Sequence, residues 1–346
     1  MIDTLTSLRF IFATMVFGAH CYVIDGFFDA HFFKEGFVGV SFFFVLSGFI
    51  IAYNYQKRLQ DKKITKRTFW VARIARIYPL HWLTLFLAAI SGGYVVASGA
   101  LDWFGHFLTS LTLTNAYIPE AGYFFSFNSP SWSLCCEQLF YICFPFLVPL
   151  ARDWRRLLGV FGLAAALIVA GMYFTPENDI KRYWYVNPVT RLPDFLVGML
   201  LFRLYERLKD RNIGRLQGNL LEIGSVALFL AFYFGAAEIP KVYRYSCFYW
   251  LPVAAVLISF SLQKGILSRI LSNRLLVAGG EISYSFYLIH LFILLPYAEW
   301  QKEAGGHIAW YIAVPLLFCV VIGLSLLSYR YFEKPMNKRV KSLLNR

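Results

Sequence analysis

The stretch LRFIFATMVFGAH, residues 8–20, decides the class of fold. Its apolar residues suit a helix made for lipid, yet Arg9 stands near its start and His20 closes it. Ionisable side chains inside a membrane segment are costly to bury and mark functional positions. Arg9 and His20 are eleven positions apart, so at about 100° per residue they return to the same helix face. At a rise of about 1.5 Å per residue, roughly 16 Å of helix separates them. That puts Arg9 at one membrane edge and His20 past the midplane. Alone, Arg9 can snorkel to lipid phosphates and His20 can hydrogen-bond a neighbouring helix. Sharing a face makes the pair more informative than its parts.

The rest of the chain agrees with a lipid environment. Of 346 residues, 58% are hydrophobic and only 15% charged, against about 25% charged in a water-soluble domain. A bilayer-spanning helix needs about 20 apolar residues. That ruler predicts an all-α polytopic bundle of about ten spans, at 5–25, 36–56, 76–98, 129–150, 157–175, 191–209, 220–237, 247–263, 275–297 and 308–330, within a single domain over residues 1–346. The first segment has no basic region before it and no small-residue cleavage site after it, so it reads as a retained span. With both termini cytoplasmic, 26 of the 33 Lys and Arg residues fall on the inner side, as the positive-inside rule requires. The other seven (Lys34, Lys181, Arg182, Arg191, Lys241, Arg244 and Lys302) lie towards the opposite face. An eleventh span at 101–118, LDWFGHFLTSLTLTNAYI, would destroy this asymmetry. That stretch is expected at the interface or as a re-entrant segment.

The net charge of +13 therefore reflects topology and contact with membrane lipids. Nucleic-acid binding is excluded, because the cations spread along one membrane face without a reading motif. Cysteines 21, 135, 136, 143, 247 and 319 have no regular spacing and read as small buried hydrophobes. No metal site is predicted: His20, His31, His81, His106, His290 and His307 have no ligand-like spacing. Phosphate-loop and nucleophile-elbow motifs are absent.

Three further stretches carry polar chemistry. In SPSWSLCCEQLFYICFP, 129–145, Ser129, Ser133, Glu137 and Tyr141 recur every four residues and predict one polar stripe. A carboxylate at that depth needs a partner, a proton or water, so Glu137 is expected to orient a histidine, exchange protons with it, or lock two helices. In GGEISYSFYLIHLFILLPY, 279–297, Ser283, Tyr287 and His290 share a face with Tyr284 alongside. They are read as acceptor-side or structural groups. In KRLQDKKITKRTFWVARIARIYP, 57–79, Arg73 and Arg76 stand three apart beside Trp70, at the start of the third span. Paired guanidinium groups suit a phosphate-bearing ligand and an indole can stack on adenine. A lipid-phosphate anchor is the alternative.

Together these stretches resemble the acyltransferase-3 family of integral membrane acyltransferases. The Arg9–His20 spacing matches its first-helix signature, and GFVGVSFFFVLSGFII resembles its second helix. RIARIYP is similar to its RxxR element through Arg73 and Arg76. WSLCCEQLFYICFP resembles WSLxxExxFY through Trp132, Ser133, Glu137, Phe140 and Tyr141. RLPDFLVGML, SYSFYLIH and YFEKP follow in the family's order, the last carrying Glu333 and Pro335.

The resemblance implies transfer of an acyl group, most often acetyl, from cytoplasmic acyl-CoA to a carbohydrate or glycolipid hydroxyl. His20 and Arg9 would be its core pair, Arg73 and Arg76 would help hold the coenzyme, and no bound cofactor is implied. The location implied is a bacterial inner membrane. No appended extracytoplasmic domain is recognised, so a second acyltransferase, where the route needs one, would be a separate partner. O-antigen, exopolysaccharide, peptidoglycan, a glycolipid or a small molecule such as a macrolide all remain open as acceptor. So does a transporter or flippase of a lipid-linked glycan, since intramembrane charges mark transport paths equally well.

Overall fold

The computed structural model describes residues 2–92, 95, 97–305 and 308–344. His307 and part of the third expected span (93, 94 and 96) lie outside them. Among the described residues the longer helices are α1 (Asp3–His20), α2 (Val38–Ile51), α3 (Lys66–Ile90), α4 (Ala100–Leu111), α5 (Trp132–Leu147), α6 (Trp154–Tyr173), α7 (Pro188–Leu208), α8 (Arg215–Gly235), α9 (Trp250–Leu262), α10 (Arg274–Glu303), α11 (Trp310–Leu327) and α12 (Lys334–Leu344). Short helical turns join them, and the described residues contain no strand.

Among the described residues six helical segments are long and apolar enough to cross a membrane: Asp3–Val23, His31–Gln60, Trp154–Tyr173, Arg215–Glu238, Arg274–Glu303 and Trp310–Leu344. Cys247–Leu262 is apolar but shorter. Helices α3, α5 and α7 also occupy expected spans, yet they stand outside that set. The reason is chemical: α3 carries Arg73 and Arg76, α5 has only 16 residues with Glu137 among them, and α7 carries Arg191 and Asp194. Charged side chains dilute the hydropathy of α3 and α7, and α5 is short. Helix α4 has 12 residues, about 18 Å of rise, too short for a hydrocarbon core of about 30 Å.

Three expectations shift. Helix α3 begins at Lys66, ten residues before 76, because Thr65 caps it by accepting the Thr68 N–H at 3.1 Å. Trp70, Arg73 and Arg76 consequently sit on helix rather than loop. Ser129 belongs to a separate turn, Ser129–Ser131, so the predicted polar stripe starts at Ser133. Arg191 is fully buried, with Ser41 at 2.7 Å, Asp194 at 3.5 Å and the Phe44 ring beneath it; it faces no membrane surface.

Helix α1 packs between α2 and α10. Phe12 stacks on Phe42 at 3.7 Å on one side, and Phe17 meets Phe286 at 5.8 Å on the other. Thr6 lies opposite Gly280, and His20 opposite His290, so α1 and α10 ascend in the same direction. Glycines allow this closeness. A Cβ on Gly280 would fall 1.8 Å from the Thr6 carbonyl oxygen, and one on Gly279 about 2.7 Å from the Phe10 ring. Across α2 and α7, a Cβ on Gly48 or Gly198 would meet backbone oxygen at 2.0 Å. Small residues at helix crossings are the membrane solution to close packing. Gly280→Val is expected to cost about 3 kcal/mol by overpacking against backbone that cannot yield, read as a lowered unfolding midpoint in detergent.

Candidate active site

A line of polar side chains runs through the bundle from the start of α3 to the end of α1. At its first end Arg76 is ion-paired with Glu333, whose other carboxylate oxygen accepts the Ser285 hydroxyl at 2.9 Å. Arg76 also lies over the Tyr284 ring at 5.3 Å. One turn away Arg73 donates to the Tyr55 hydroxyl at 2.8 Å and rests on that ring. Its Nε has no partner among the described residues. Trp70 donates its indole N–H to the Tyr141 carbonyl at 3.0 Å. Trp70, Arg73, Tyr78, Gln138 and Tyr141 border a groove of about 330 Å³ between α3 and α5.

Farther along, Arg9 and Glu137 face a small internal cavity of about 60 Å³ with Ser133, Ser283, Tyr284 and Tyr287 on its walls. That is room for a few water molecules. Tyr141 donates to Glu137 at 2.5 Å. Tyr284 reaches back to the Ile77 carbonyl at 2.6 Å, and Tyr287 to that of Pro130 at 3.2 Å. Ser133 and Ser283 bond backbone carbonyls one turn before them. Trp132 is enclosed, packing on Tyr185 at 4.7 Å and Phe44 at 6.2 Å, so it shapes the wall.

The second end is a histidine pair. His290 Nδ1 lies 2.6 Å from the Tyr287 carbonyl oxygen. A carbonyl only accepts, which places the proton on this nitrogen and a lone pair on Nε2. His290 Nε2 is 3.2 Å from His20 Nδ1, which is also 2.9 Å from the Val16 carbonyl. Facing two acceptors, His20 Nδ1 carries its proton. The tautomer assigned by these contacts leaves the lone pair of His20 on Nε2, free of any hydrogen bond among the described residues. His290 is 1% exposed and His20 is half-buried. One imidazole is sealed and the other meets the outside.

This arrangement brings together most residues singled out in the sequence and corrects the pairing expected among them. Glu137 does not hydrogen-bond His20; its partner is Tyr141, and His290 orients His20 instead. Arg76 is already ion-paired with Glu333. The indole of Trp70 is tied to α5 through its N–H. Sequence reading gave no role to Ser285 or Tyr55, and Glu333 appeared only as part of a closing motif; a buried glutamate 257 positions beyond its arginine partner leaves no local signal. Cys21, Cys135 and Cys136 are buried as expected, whereas Cys319 is exposed and Cys143 and Cys247 are intermediate. Among the described residues no three His, Cys, Asp or Glu side chains converge.

Comparison with known proteins agrees with this chemistry. Residues 2–330 match the acyltransferase-3 family, described as an acyltransferase domain. "Acyltransferase MdmB" of Streptomyces mycarofaciens is 30% identical over 89% of this chain and 86% of its own. "Putative peptidoglycan O-acetyltransferase YrhL" of Bacillus subtilis is 30% identical over 87% of this chain, and "Putative O-acetyltransferase SACOL0978" of Staphylococcus aureus is 26% identical over 90%. The chain spans 50% and 54% of those two relatives. No solved structure matches. A chain whose described residues are helical, with helices long and apolar enough to cross a membrane and a family match over residues 2–330, belongs to the acyltransferase-3 family.

Proposed function

We propose that this protein transfers an acetyl group from cytoplasmic acetyl-CoA to a hydroxyl of an extracytoplasmic or lipid-linked carbohydrate. The observation that carries the reading is the polar line from Arg73 and Arg76, past Arg9 and Glu137, to His20 and His290. CoA is polyanionic and stays out of hydrocarbon, so its phosphates remain at the basic end near Arg73 and Arg76. Its thin pantetheine arm follows the Arg9–His20 face and delivers the thioester near His20. His20 Nε2 takes the proton of the acceptor hydroxyl. The oxygen attacks the thioester carbonyl, the C–S bond breaks, and the imidazolium returns the proton to the departing thiolate.

The chain is placed in a bacterial plasma membrane as one multi-pass domain with about ten spans and both termini cytoplasmic, which the Lys and Arg distribution supports. The bacterial relatives fit that location, and the name of the Bacillus protein makes peptidoglycan one acceptor to try. An extracytoplasmic acyltransferase partner belongs to the same proposal.

Purified protein in lipid, given labelled acetyl-CoA, is expected to release CoA with hydrolysis or transfer of the label. Absence of both would leave the transport reading standing. Arg73→Ala is expected to raise the KM for acetyl-CoA about tenfold with little change in stability, because Arg73 bonds only a neutral tyrosine hydroxyl and charge-assisted bonds to phosphate are the strong ones. An unchanged KM would remove Arg73 from the donor site.

A further inference from the structure

Charge counting along the sequence assigns seven cations to the side opposite the basic inner segments. Four of them meet carboxylates: Lys34 with Asp29 at 2.9 Å, Arg182 with Asp179 at 2.5 Å, Arg191 with Asp194 at 3.5 Å, and Arg244 with Glu35. Lys302 stands in the last turn of α10. Lys181 and Lys241 differ from those four. Neither meets a carboxylate among the described residues. Lys181 Nζ sits over the Phe125 ring at 4.6 Å, and Lys241 Nζ over the Tyr245 ring at 5.7 Å.

The two lysines also share a neighbourhood. Lys181 opens the turn Lys181–Tyr185, and the Tyr185 ring of that turn meets Tyr245, the ring under Lys241. Gly36, next to Phe37, abuts the last turn of α1: a Cβ there would fall 3.1 Å from the Ala19 Cβ, one residue before His20. Beside them runs a row of rings: Tyr245 against Tyr185 at 4.5 Å, Tyr245 against Phe37 at 5.1 Å, and Tyr185 against Trp132 at 4.7 Å. Phe37, Phe125 and Tyr185 are only partly buried. Two like charges on neighbouring aromatic faces repel each other, and no carboxylate among the described residues pairs with either. Ring faces suit the C–H face of a sugar, and the ammonium pair suits an anionic oxygen.

We infer that Lys181 and Lys241 form the acceptor subsite beside His20, and that the acceptor is an anionic glycan carrying a carboxylate or phosphate close to the hydroxyl that is acetylated. The inference rests on the acetyl-transfer reading and names its acceptor class. The anion comes either from a sugar carboxylate or from the phosphate of a lipid carrier.

Equilibrium binding to the full chain in zwitterionic nanodiscs separates the two sources. Tri-galacturonate is compared with neutral galactotriose, and farnesyl diphosphate with farnesol. At least one anionic probe is expected to bind about tenfold or more tighter than its neutral counterpart. That preference is expected to vanish in Lys181→Gln/Lys241→Gln and to persist in Lys181→Arg/Lys241→Arg. A preference for tri-galacturonate assigns the sugar carboxylate; one for farnesyl diphosphate assigns the lipid phosphate. Equal binding of charged and neutral probes, no binding of either anion, or undiminished binding in the glutamine pair overturns the inference. If the glutamine pair does not fold, salt decides: weakening with ionic strength supports the subsite, and salt-insensitive binding overturns it. Loss of CoA release in His20→Ala, measured on the same nanodiscs, reads the acetyl-transfer step independently, so either idea can fail without the other.

Discussion

His20→Ala is expected to lower acetyl transfer by about 10²–10⁴-fold, the range a positioned general base contributes, while the purified protein keeps its unfolding midpoint to within a few degrees. The side chain is half-buried and bonds only the Val16 carbonyl and His290, so its removal leaves no buried charge behind. His290 provides the sharper test of how His20 works. Its Nε2 lone pair holds the proton of His20 on Nδ1 and thereby directs the free lone pair outward. His290→Ala removes that acceptor and is expected to cut kcat by about 10–100-fold with little effect on the KM for acetyl-CoA. His290→Gln supplies an amide oxygen in its place and is expected to recover much of the loss. Full activity in His20→Ala would falsify the assignment. Equal damage from alanine and glutamine at 290 would show that His290 only fills space.

The second large effect concerns the ion pair at the other end. Glu333 is 3% exposed, and Arg76 is its one cationic partner among the described residues. Removing Arg76 strands a buried carboxylate, an uncompensated charge that costs about 3–5 kcal/mol. Arg76→Ala is therefore expected to fold poorly or melt well below the wild type in detergent. The double variant Arg76→Ala/Glu333→Gln leaves a neutral amide that still meets Ser285, and is expected to regain most of the stability. It is not expected to regain donor binding, since the cation stays absent. Measuring unfolding midpoint and CoA affinity on the same samples separates the two contributions. A double variant that binds CoA normally would confine Arg76 to a structural role; a single variant as stable as wild type would show that water reaches Glu333.

Much of the site was legible because membrane helices make polar residues conspicuous. Arg9, Glu137, Ser283 and Tyr287 stand out against apolar neighbours, and helical spacing alone predicts that Ser283, Tyr287 and His290 share a face. All of them line the same cavity or adjoin it. Reach across helices was not legible. Glu137 looked like the partner of His20, yet Tyr141 lies one turn beyond it on its own helix and takes its carboxylate, while His290 comes from 270 residues away. Arg191 read as a cation near the outer face, because charge counting sees sequence position and not the Asp194, Ser41 and Phe44 that enclose it.

By itself the sequence determined the all-helical membrane class, the positions of the long apolar segments and the residue types available for chemistry. Hydropathy and helical periodicity are local properties that each segment carries with it. Only the tertiary structure decided which nitrogen of His20 is free and which acid answers Arg76. The first depends on how closely α1 and α10 approach at Gly279 and Gly280, and a crossing distance belongs to two helices at once.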